Sequence, residues 1–399
     1  MGTGIAQVLP FLATPLLTRL FKEEEFALYT SFFAIASIFA VAVGGKYQMA
    51  IVLPKKDSDA NKLLTLSIYI TIGYSALIFL IFPLFFEYLP GDLGNVLYYV
   101  PLYVIFYGIW SSFSNLSIRH KTFKDNAYAK VIQSIGYIIT AIGLGLSKFS
   151  LFGLVLAKII GTLVSWLFLF KKSFVKFRLV SPRELKAVAS EYIDYPRYGV
   201  GPAFLNTVSS QALILILTKF YSTDDLGHFG LTFMVLSAPI GLIGTSYKDV
   251  FFQKIATQIN SGKVEDAFRF FKKSAVALFA MGLPISLILC FLGEDIFALV
   301  FGQKWERSGE FAAILSFSFL FKLVASPLSS IFNATNTLRI ASQWQVLYFI
   351  TTFATLLFGA YFAKLEVTLL LTVYVTHEII LYGIYFWWQH RTIANFAER

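Results

Sequence analysis

The sequence has very little cysteine and little charge for its length. Its 399 residues include one cysteine, Cys290, and only 14% are Asp, Glu, Lys or Arg. A single cysteine excludes a disulfide framework and a cysteine-based metal site, and we interpret Cys290 as a small apolar core residue. The low charge, together with 57% hydrophobic residues, is atypical of a soluble globular protein and indicates a chain that crosses a membrane many times.

Motifs for enzymatic chemistry are also missing. The sequence contains no GxxxxGK[ST] loop, which excludes ATP hydrolysis by a phosphate-binding loop of that type. No large loop carries the paired carboxylates that a membrane glycosyltransferase or polymerase would need, and no nucleophile–base arrangement is present. We therefore expect a protein that is not an enzyme and has no cofactor and no metal site.

Long apolar runs are what the sequence has instead. About 20 apolar residues are needed for a helix to cross a bilayer, and we predict twelve such segments with mostly short connections. They lie near 3–20, 26–53, 63–86, 96–117, 128–147, 150–170, 199–220, 226–247, 274–300, 311–332, 343–362 and 366–388. Two longer basic connections, 171–197 and 248–273, have the apolar spacing of helices that lie on a membrane surface.

The second segment contains a polar break. Its apolar run holds Gly44-Gly45, followed directly by Lys46. A lysine at bilayer depth costs several kcal/mol unless it faces protein or water, and a glycine pair is a plausible site for a kink. We therefore predict a bent membrane helix whose polar break faces an interior.

The distribution of Lys and Arg predicts the orientation of the chain. When residues at segment ends are counted with the adjacent connection, the connections after even-numbered segments and the C-terminal tail hold 23 of the 33 Lys and Arg residues. Those after odd-numbered segments hold 7, and 3 lie deeper inside segments. This asymmetry puts both termini in the cytoplasm. It also accounts for the formal net charge of +10 without a nucleic-acid partner.

The chain repeats itself at an offset of 200 residues. Residues 18–21 return at 218–221, and Gly44 matches Gly244. An offset of six segments gives both halves the same topology, so they are related by an axis along the membrane normal. We predict an all-α polytopic membrane protein with a cavity between two six-helix bundles. The predicted parts are an N-terminal bundle at 1–175, a cytoplasmic amphipathic linker at 176–198 and a C-terminal bundle at 199–399.

Rows of polar residues along one face of a helix, called polar stripes below, predict which helix faces line this cavity. They lie on corresponding helices of the two halves, the first and seventh and the fourth and tenth. Their members include Gln7, Thr14, Asn115, Asn206, Ser318, Ser326 and Ser329. Close packing of membrane helices also explains small polar residues at any single stripe. The four stripes together favour a wet cavity.

Cations inside or near the segments are candidates for binding an anionic ligand. Lys322 lies eleven residues from either end of its helix, ~16 Å, which is too far for easy snorkelling. Snorkelling stays an alternative for Lys46 and Lys158, and interfacial anchoring for Arg19. The complete candidate set is Lys46, Lys322, Arg19, Lys158 and Lys248. Such cations beside neutral hydrogen-bonding groups suit a phosphate or diphosphate attached to a sugar.

Glu378 is the only acidic residue deep within a predicted segment. Three interpretations stay open for it: a counter-ion to Lys322, a proton or coupling-ion site, or a residue satisfied by its neighbours.

Three stretches carry a family resemblance. TPLLTRLF at 14–21, EFALY at 25–29 and GKYQMAIVLP at 45–54 resemble Wzx-type polysaccharide biosynthesis flippases. These are the O-antigen and capsule transporters of the multidrug/oligosaccharidyl-lipid/polysaccharide exporter superfamily. The resemblance implies that Arg19 is the arginine that ends helix 1 and that Lys46 stands where relatives usually have arginine. Relatives usually begin a dozen or more residues earlier, so we expect helix 1 to be truncated.

The same resemblance implies a function. It predicts a protein of the bacterial inner membrane that moves undecaprenyl-diphosphate-linked oligosaccharide repeat units across the bilayer by alternating access, coupled to an ion gradient. Membrane lipids, a polysaccharide polymerase and a chain-length regulator are the implied partners. The alternatives are a cation-coupled multidrug exporter of the same superfamily, which Glu378 alone supports, and a membrane glycan polymerase or ligase.

Overall fold

The computed structural model of the chain describes residues 2–84, 93–147, 151–173 and 180–397. Within these ranges the secondary structure is helical and no residue lies in a β-strand. The chain divides into two compact units, Met1–Gly227 and His228–Arg399.

The first unit holds ten complete helices among the described residues. They are α1 Gly2–Leu20, α2 Glu23–Ala40, α3 Tyr47–Ala50, α4 Asp57–Ile81, α5 Leu93–Leu97, α6 Tyr99–Arg119, α7 Phe123–Leu146, α8 Gly153–Lys172, α9 Pro182–Glu191 and α10 Asp194–Phe220. The next helix, α11 Thr223–Pro239, begins in this unit and ends in the second. The described part of the second unit continues with α12 Thr245–Asn260, α13 Val264–Phe301, α14 Glu306–Leu328, α15 Ile331–Ala334, α16 Leu338–Leu357 and α17 Val367–Ala397.

The membrane-spanning character of these helices confirms the predicted fold class. Ten helices among the described residues are long and apolar enough to cross a bilayer, and α2 with the segment Val43–Ala50 forms an eleventh, bent span. A shorter apolar helix, Gly4–Leu20, occupies the position of the first predicted segment. The protein is therefore an all-α, multi-pass membrane protein.

The predicted surface helix at 248–273 is wrong. The chain runs from α11 through the π-helical segment Ile240–Gly244 into α12, and after a short turn it enters α13. Phe251 and Ile255 are fully buried in a cluster with Phe271 of α13. The apolar spacing therefore reflects packing of α12 against neighbouring helices rather than contact with a membrane surface.

The predicted linker at 176–198 contains one short helix, α9, and residues 194–198 form the start of α10. Ser181 caps its first turn, because its hydroxyl accepts the Glu184 backbone N–H while the Glu184 carboxylate accepts the Ser181 backbone N–H. Val188 is buried on its inner face. Residues 176–179 of the predicted linker lie outside the described residues.

Proline shapes the packing of the first helix. Pro10 has no backbone N–H, so it cannot donate to the Ala6 carbonyl oxygen one turn earlier. Ser134 of α7 supplies the missing donor, with its Oγ 2.6 Å from that oxygen. In an apolar surrounding an unpaired carbonyl is costly, so this contact fixes α1 against α7.

Glycine pairs bring helices close together in each unit. Gly136 of α7 faces Gly161 of α8, and Gly293 of α13 faces Gly309 of α14. A Cβ atom at Gly161 or Gly309 would collide with the backbone of the neighbouring helix. Small residues at these crossings allow the close van der Waals contact that holds membrane helices together.

Candidate functional site

The polar break in the second span is a sharp backbone turn. Gly44 and Gly45 both have φ +57°, and Lys46 has φ +64°. The two halves of the span are bent by 45° at this point, which confirms the predicted kink. A Cβ atom at Gly44 would collide with the Gln48 side chain, so the position needs glycine for space as well as for its φ. Lys46 holds a conformation that costs a non-glycine residue roughly 1–2 kcal/mol.

Side chains from distant parts of the first unit hold this break in place. The Tyr47 hydroxyl donates to the Ala189 carbonyl oxygen of α9 at 3.0 Å. Beyond α3, Arg119 Nη1 donates to the Pro54 carbonyl oxygen at 2.6 Å, and Arg119 Nη2 lies 2.8 Å from Asp57 Oδ1. The segment that follows the break is thus fixed at both of its ends, at Tyr47 and at Pro54, by contacts outside its own helix.

Lys46 lies half-buried at the break. A Cβ atom at Gly199, near the start of α10, would lie 3.6 Å from Lys46 Cγ, so the lysine side chain runs close to this glycine. The backbone strain at Lys46 is typical of a functional position, because a strained conformation persists only where its surroundings enforce it.

Lys158 is the second cation within the spans of the first unit. It lies in the second turn of α8, half-buried, with its Nζ 5.0 Å from the centre of the Phe33 ring. Phe33 in turn stacks on Tyr29 and meets the Tyr103 ring edge-on. Within the described chain Lys158 forms no ion pair with a carboxylate. The cation–π contact with the Phe33 ring is therefore the interaction that stabilises its charge.

The two buried carboxylates among the described residues of this unit, Glu25 and Asp225, have structural roles. Glu25 Oε2 accepts the Lys22 backbone N–H at 2.6 Å and caps α2. Asp225 Oδ2 accepts the Ser222 hydroxyl at 2.6 Å at the start of α11. Neither carboxylate forms an ion pair with Lys46 or Lys158.

In the second unit, Glu378 of α17 sits among tyrosines. It is 2% exposed, and Tyr348 and Tyr374 lie close to it. The Tyr382 ring packs 6.0 Å from that of Tyr348. Glu378 Oε1 has no hydrogen-bond partner in the described part of the chain, and neither ring nitrogen of the adjacent His377 has one.

Lys322 of α14 is a cation within electrostatic range of this carboxylate. Its charge acts on Glu378, but the two side chains do not form a direct ion pair. Lys322 is half-buried, and its Nζ lies 5.9 Å from the centre of the Phe319 ring. The arrangement therefore contains a lysine and a glutamate that interact through space while each keeps capacity for another ligand.

The tyrosines are functional candidates that the sequence interpretation missed. Tyr374, Glu378 and Tyr382 stand at i, i+4 and i+8 on α17, so they share one helix face. This spacing around Glu378, the acidic residue deep within a predicted segment, is the sequence signal that could have identified Tyr374 and Tyr382.

The remaining predicted residues lie in varied surroundings. Arg19 and Lys248 are exposed, and Arg19 Nη1 donates to the Pro15 carbonyl oxygen at 2.7 Å. Two predicted cavity residues are buried and bond within their own helices, Thr14 to the Pro10 carbonyl and Ser318 to the Leu315 carbonyl. The others are half-buried or exposed: Gln7, Asn115, Asn206, Ser326 and Ser329. Asn115 Nδ2 and Ser329 Oγ also bond to backbone carbonyls of their own helix or turn.

No metal centre is visible in the described residues, which contain no cluster of three or more His, Cys, Asp and Glu side chains.

Comparison with known protein families identifies the family of the chain. Residues 16–310 match the family model described as "Polysaccharide biosynthesis protein". The chain belongs to this family. The match includes nearly all of the three stretches, 14–21, 25–29 and 45–54, that carry the resemblance in the sequence. A comparison with curated proteins gave no significant match.

Solved structures show which fold this polysaccharide biosynthesis protein has. An inward-facing multidrug resistance MATE family transporter of the MOP superfamily superposes with a TM-score of 0.74 at 14% identity, covering 98% of this chain and 96% of that one. The lipid II flippase MurJ, in an inward closed conformation, gives 0.74 at 12% identity, covering 99% and 89%. A MOP superfamily transporter from Pyrococcus furiosus, reported to have a binding pocket of reverse polarity, gives 0.65 at 14% identity, covering 99% and 94%. The chain therefore has the fold of MOP superfamily transporters.

Proposed function

We propose that this polysaccharide biosynthesis protein is a flippase. Its substrate is an undecaprenyl-diphosphate-linked oligosaccharide repeat unit, which it moves from the cytoplasmic to the outer leaflet of the bacterial inner membrane by alternating access. The family match supports a role in polysaccharide synthesis, and the fold supports transport.

One observation carries the choice of substrate. Lys46 and Lys158 lie half-buried in the spans of the first unit. The two buried carboxylates described there, Glu25 and Asp225, bond at the starts of helices and form no ion pair with either lysine. Unneutralised cations at membrane depth are costly unless a ligand or water compensates them. A diphosphate supplies that compensation, and an organic cation does not.

Glu378 and Lys322 are the proposed coupling site in the second unit. A carboxylate that is buried among tyrosine hydroxyls and has a free oxygen can take up a proton or another coupling cation. The charge state of Glu378 would then change its electrostatic attraction to Lys322. We propose that this exchange couples substrate movement to an ion gradient.

The orientation and partners of the protein are part of the proposal. The Lys and Arg asymmetry places both termini in the cytoplasm. A polymerase and a chain-length regulator would receive the flipped unit, since repeat units have to be joined after translocation.

A deletion strain tests the transport function. Lipids are extracted and undecaprenyl-diphosphate oligosaccharides are identified by mass spectrometry, with a membrane-impermeant reagent reporting leaflet accessibility. We expect complete repeat units to accumulate on the cytoplasmic leaflet with loss of surface glycan. Complete units on the outer leaflet would contradict flipping and indicate a polymerase or ligase.

Variants of Lys322 test the site. In the complemented strain, Lys322→Ala should cut surface glycan at least tenfold while the amount of protein in the membrane stays constant. Lys322→Arg should retain most of the transport, and Lys273→Ala, which removes an exposed lysine, should have no effect. Unchanged transport by Lys322→Ala would remove Lys322 from the site.

The buried Glu378 also supports a second candidate, a cation-coupled multidrug exporter. In that case the chain would export a cationic dye, and Glu378→Gln would abolish the efflux. Dye efflux by the wild-type protein with normal surface glycan in the deletion strain would favour this candidate over the flippase.

A further inference from the structure

A pocket lies in the second unit, and neither Glu378 nor Lys322 is among the residues that line it. It has a volume of about 420 Å³ and opens between the start of α16 and the end of α17. Two indoles, one guanidinium and several neutral hydrogen-bonding groups line it. The residues that matter here are Trp387, Trp388, Arg391, Thr392, Asn395 and Gln343.

Helix geometry places this pocket at the edge of the bilayer. The apolar part of α17 ends at Trp388, and its centre lies close to Glu378. Arg391 is thirteen residues further along, ~20 Å at the rise of an α-helix. The hydrocarbon core extends only ~15 Å from its centre. Arg391 therefore lies at the level of the lipid headgroups, and Trp387 lies at the boundary where tryptophan is enriched.

The wall of the pocket is rigid. Trp388 meets the ring of Trp344 edge-on, and Trp344 stacks on Tyr385 with ring centres 4.1 Å apart. Next to Trp388, the buried Gln389 donates its Nε2 to the Ala325 carbonyl oxygen of α14 at 2.9 Å. These contacts fix the end of α17, so the pocket exists before any ligand binds.

Arg391 is available for an anion. Its guanidinium lies 5.4 Å from the centre of the Trp387 ring and makes no ion pair with a carboxylate of the described residues. Trp387 is 52% exposed, so one indole face is open to the surroundings. A guanidinium binds phosphate through two parallel hydrogen bonds, and the neighbouring amides and hydroxyls suit hydroxyl groups of the same ligand.

We propose that this pocket binds the headgroup of an anionic phospholipid with a glycerol hydroxyl headgroup, such as phosphatidylglycerol. The phosphate would lie on Arg391, the glycerol hydroxyls on the neutral side chains, and the acyl chains along the exposed face of Trp387. The Lys and Arg asymmetry assigns the pocket to the cytoplasmic leaflet. The site is independent of the proposed transport, because it shares no residue with the cations or with Glu378.

The test measures lipid retention by the full-length protein in detergent. The probes are phosphatidylglycerol, zwitterionic phosphatidylcholine and soluble glycerol 3-phosphate, and the readouts are native mass spectrometry and the shift in melting temperature. Arg391→Gln removes the guanidinium, whereas Arg339→Gln removes an exposed arginine at the same end of α16 that does not line the pocket. We expect Arg391→Gln to weaken phosphatidylglycerol binding about tenfold or more, as expected for loss of a charge-assisted hydrogen bond. Arg339→Gln should bind like the wild type.

Three results would overturn the proposal. The first is equal phosphatidylglycerol binding by Arg391→Gln and wild-type protein. The second is equal stabilisation by phosphatidylcholine. The third is saturable binding of glycerol 3-phosphate that displaces the lipid at similar concentration, which would show a site for a soluble phosphate. Trp387→Ala provides an independent check, because loss of the indole should weaken the lipid and leave the melting temperature of the lipid-free protein nearly unchanged.

Discussion

Tyr47 donates its hydroxyl to the carbonyl oxygen of Ala189, at a distance of 3.0 Å and across 142 positions of the chain. The bond joins α3, the short helix after the kink, to α9, which lies within the basic connection 171–197. Both elements also pack in one apolar cluster that includes Leu63 and Val188. A movement of the kinked span would therefore be transmitted to α9.

Removal of this bond should loosen α9 without unfolding the unit. Tyr47→Phe keeps the ring and loses one hydrogen bond, which contributes ~1 kcal/mol. We expect faster hydrogen exchange in 182–192, measured by mass spectrometry on the purified protein. Tyr195→Phe removes a hydroxyl from the same cluster and should leave that exchange unchanged. Equal exchange in Tyr47→Phe and the wild type would show that α9 is held by packing alone.

The conformation of Gly44 makes a second prediction. Gly44→Ala places a Cβ at φ +57° against Gln48 and Ser67, so we expect a loss of stability of ~1–3 kcal/mol. Thermal unfolding in detergent, followed by size-exclusion chromatography, measures it. The control is Gly73→Ala in α4, where a Cβ meets no atom within 4 Å. This exposed helical glycine should become slightly more stable as alanine, so a similar loss in both variants would contradict the backbone argument.

The contact between Ser134 and Ala6 makes a third prediction. Because of Pro10, the Ala6 carbonyl oxygen has no helical donor. Ser134→Ala removes the hydroxyl that replaces it and leaves this oxygen unpaired in an apolar surrounding. The cost is ~1–3 kcal/mol, and it should appear as a lower melting temperature. Ser147→Ala is the matched control, since its exposed hydroxyl bonds only to the Leu144 carbonyl of its own helix. If both variants melt like the wild type, water or lipid hydroxyls satisfy the Ala6 oxygen.

Most of the fold was predictable from the sequence because the bilayer restricts the choice of structures. Apolar length predicted the spans, and Gly44-Gly45 beside Lys46 predicted the kink. The 248–273 prediction failed for a physical reason. Its apolar spacing is the same for a helix on a membrane and for a helix packed on protein, and only the tertiary contacts of Phe251 and Ile255 distinguish the two.

The candidate site was predictable only in part. Lys158 and Lys322 were identifiable because charge is rare within spans. Their aromatic neighbours Phe33 and Phe319 were not, because the sequence does not show which of the 43 phenylalanines contact a lysine. The tyrosines around Glu378 come partly from another helix. Tyr348 reaches the carboxylate from α16, and no spacing within α17 predicts that contact.

Lys158 provides a transport prediction. Lys158→Met keeps the length of the side chain and removes its charge, and we expect surface glycan to fall at least tenfold while lipid-linked units accumulate. Lys158→Arg keeps a cation on the Phe33 ring and should restore most of the transport. Lys124→Met, which removes an exposed lysine near the start of α7, is the control. Normal transport by Lys158→Met would show that this lysine only packs against the ring.

The orientation of the chain can be measured by cysteine labelling, because the sequence holds a single cysteine. Cys290→Ala provides a background without thiols. Ser58→Cys then reports the connection at the start of α4, and Gln303→Cys reports the connection between α13 and α14; both positions are exposed.

The Lys and Arg asymmetry assigns opposite sides to these two connections. In intact spheroplasts a membrane-impermeant maleimide should label Gln303→Cys fully and should label Ser58→Cys only after the membrane is permeabilised. Complementation of the deletion strain by each variant confirms that the labelled protein is correctly inserted. The reverse pattern would place both termini outside the cytoplasm, and the pocket around Arg391 would then face the outer leaflet. Labelling of both cysteines in intact spheroplasts would contradict the predicted number of spans between α4 and α14, because an even number of crossings separates positions on the same side.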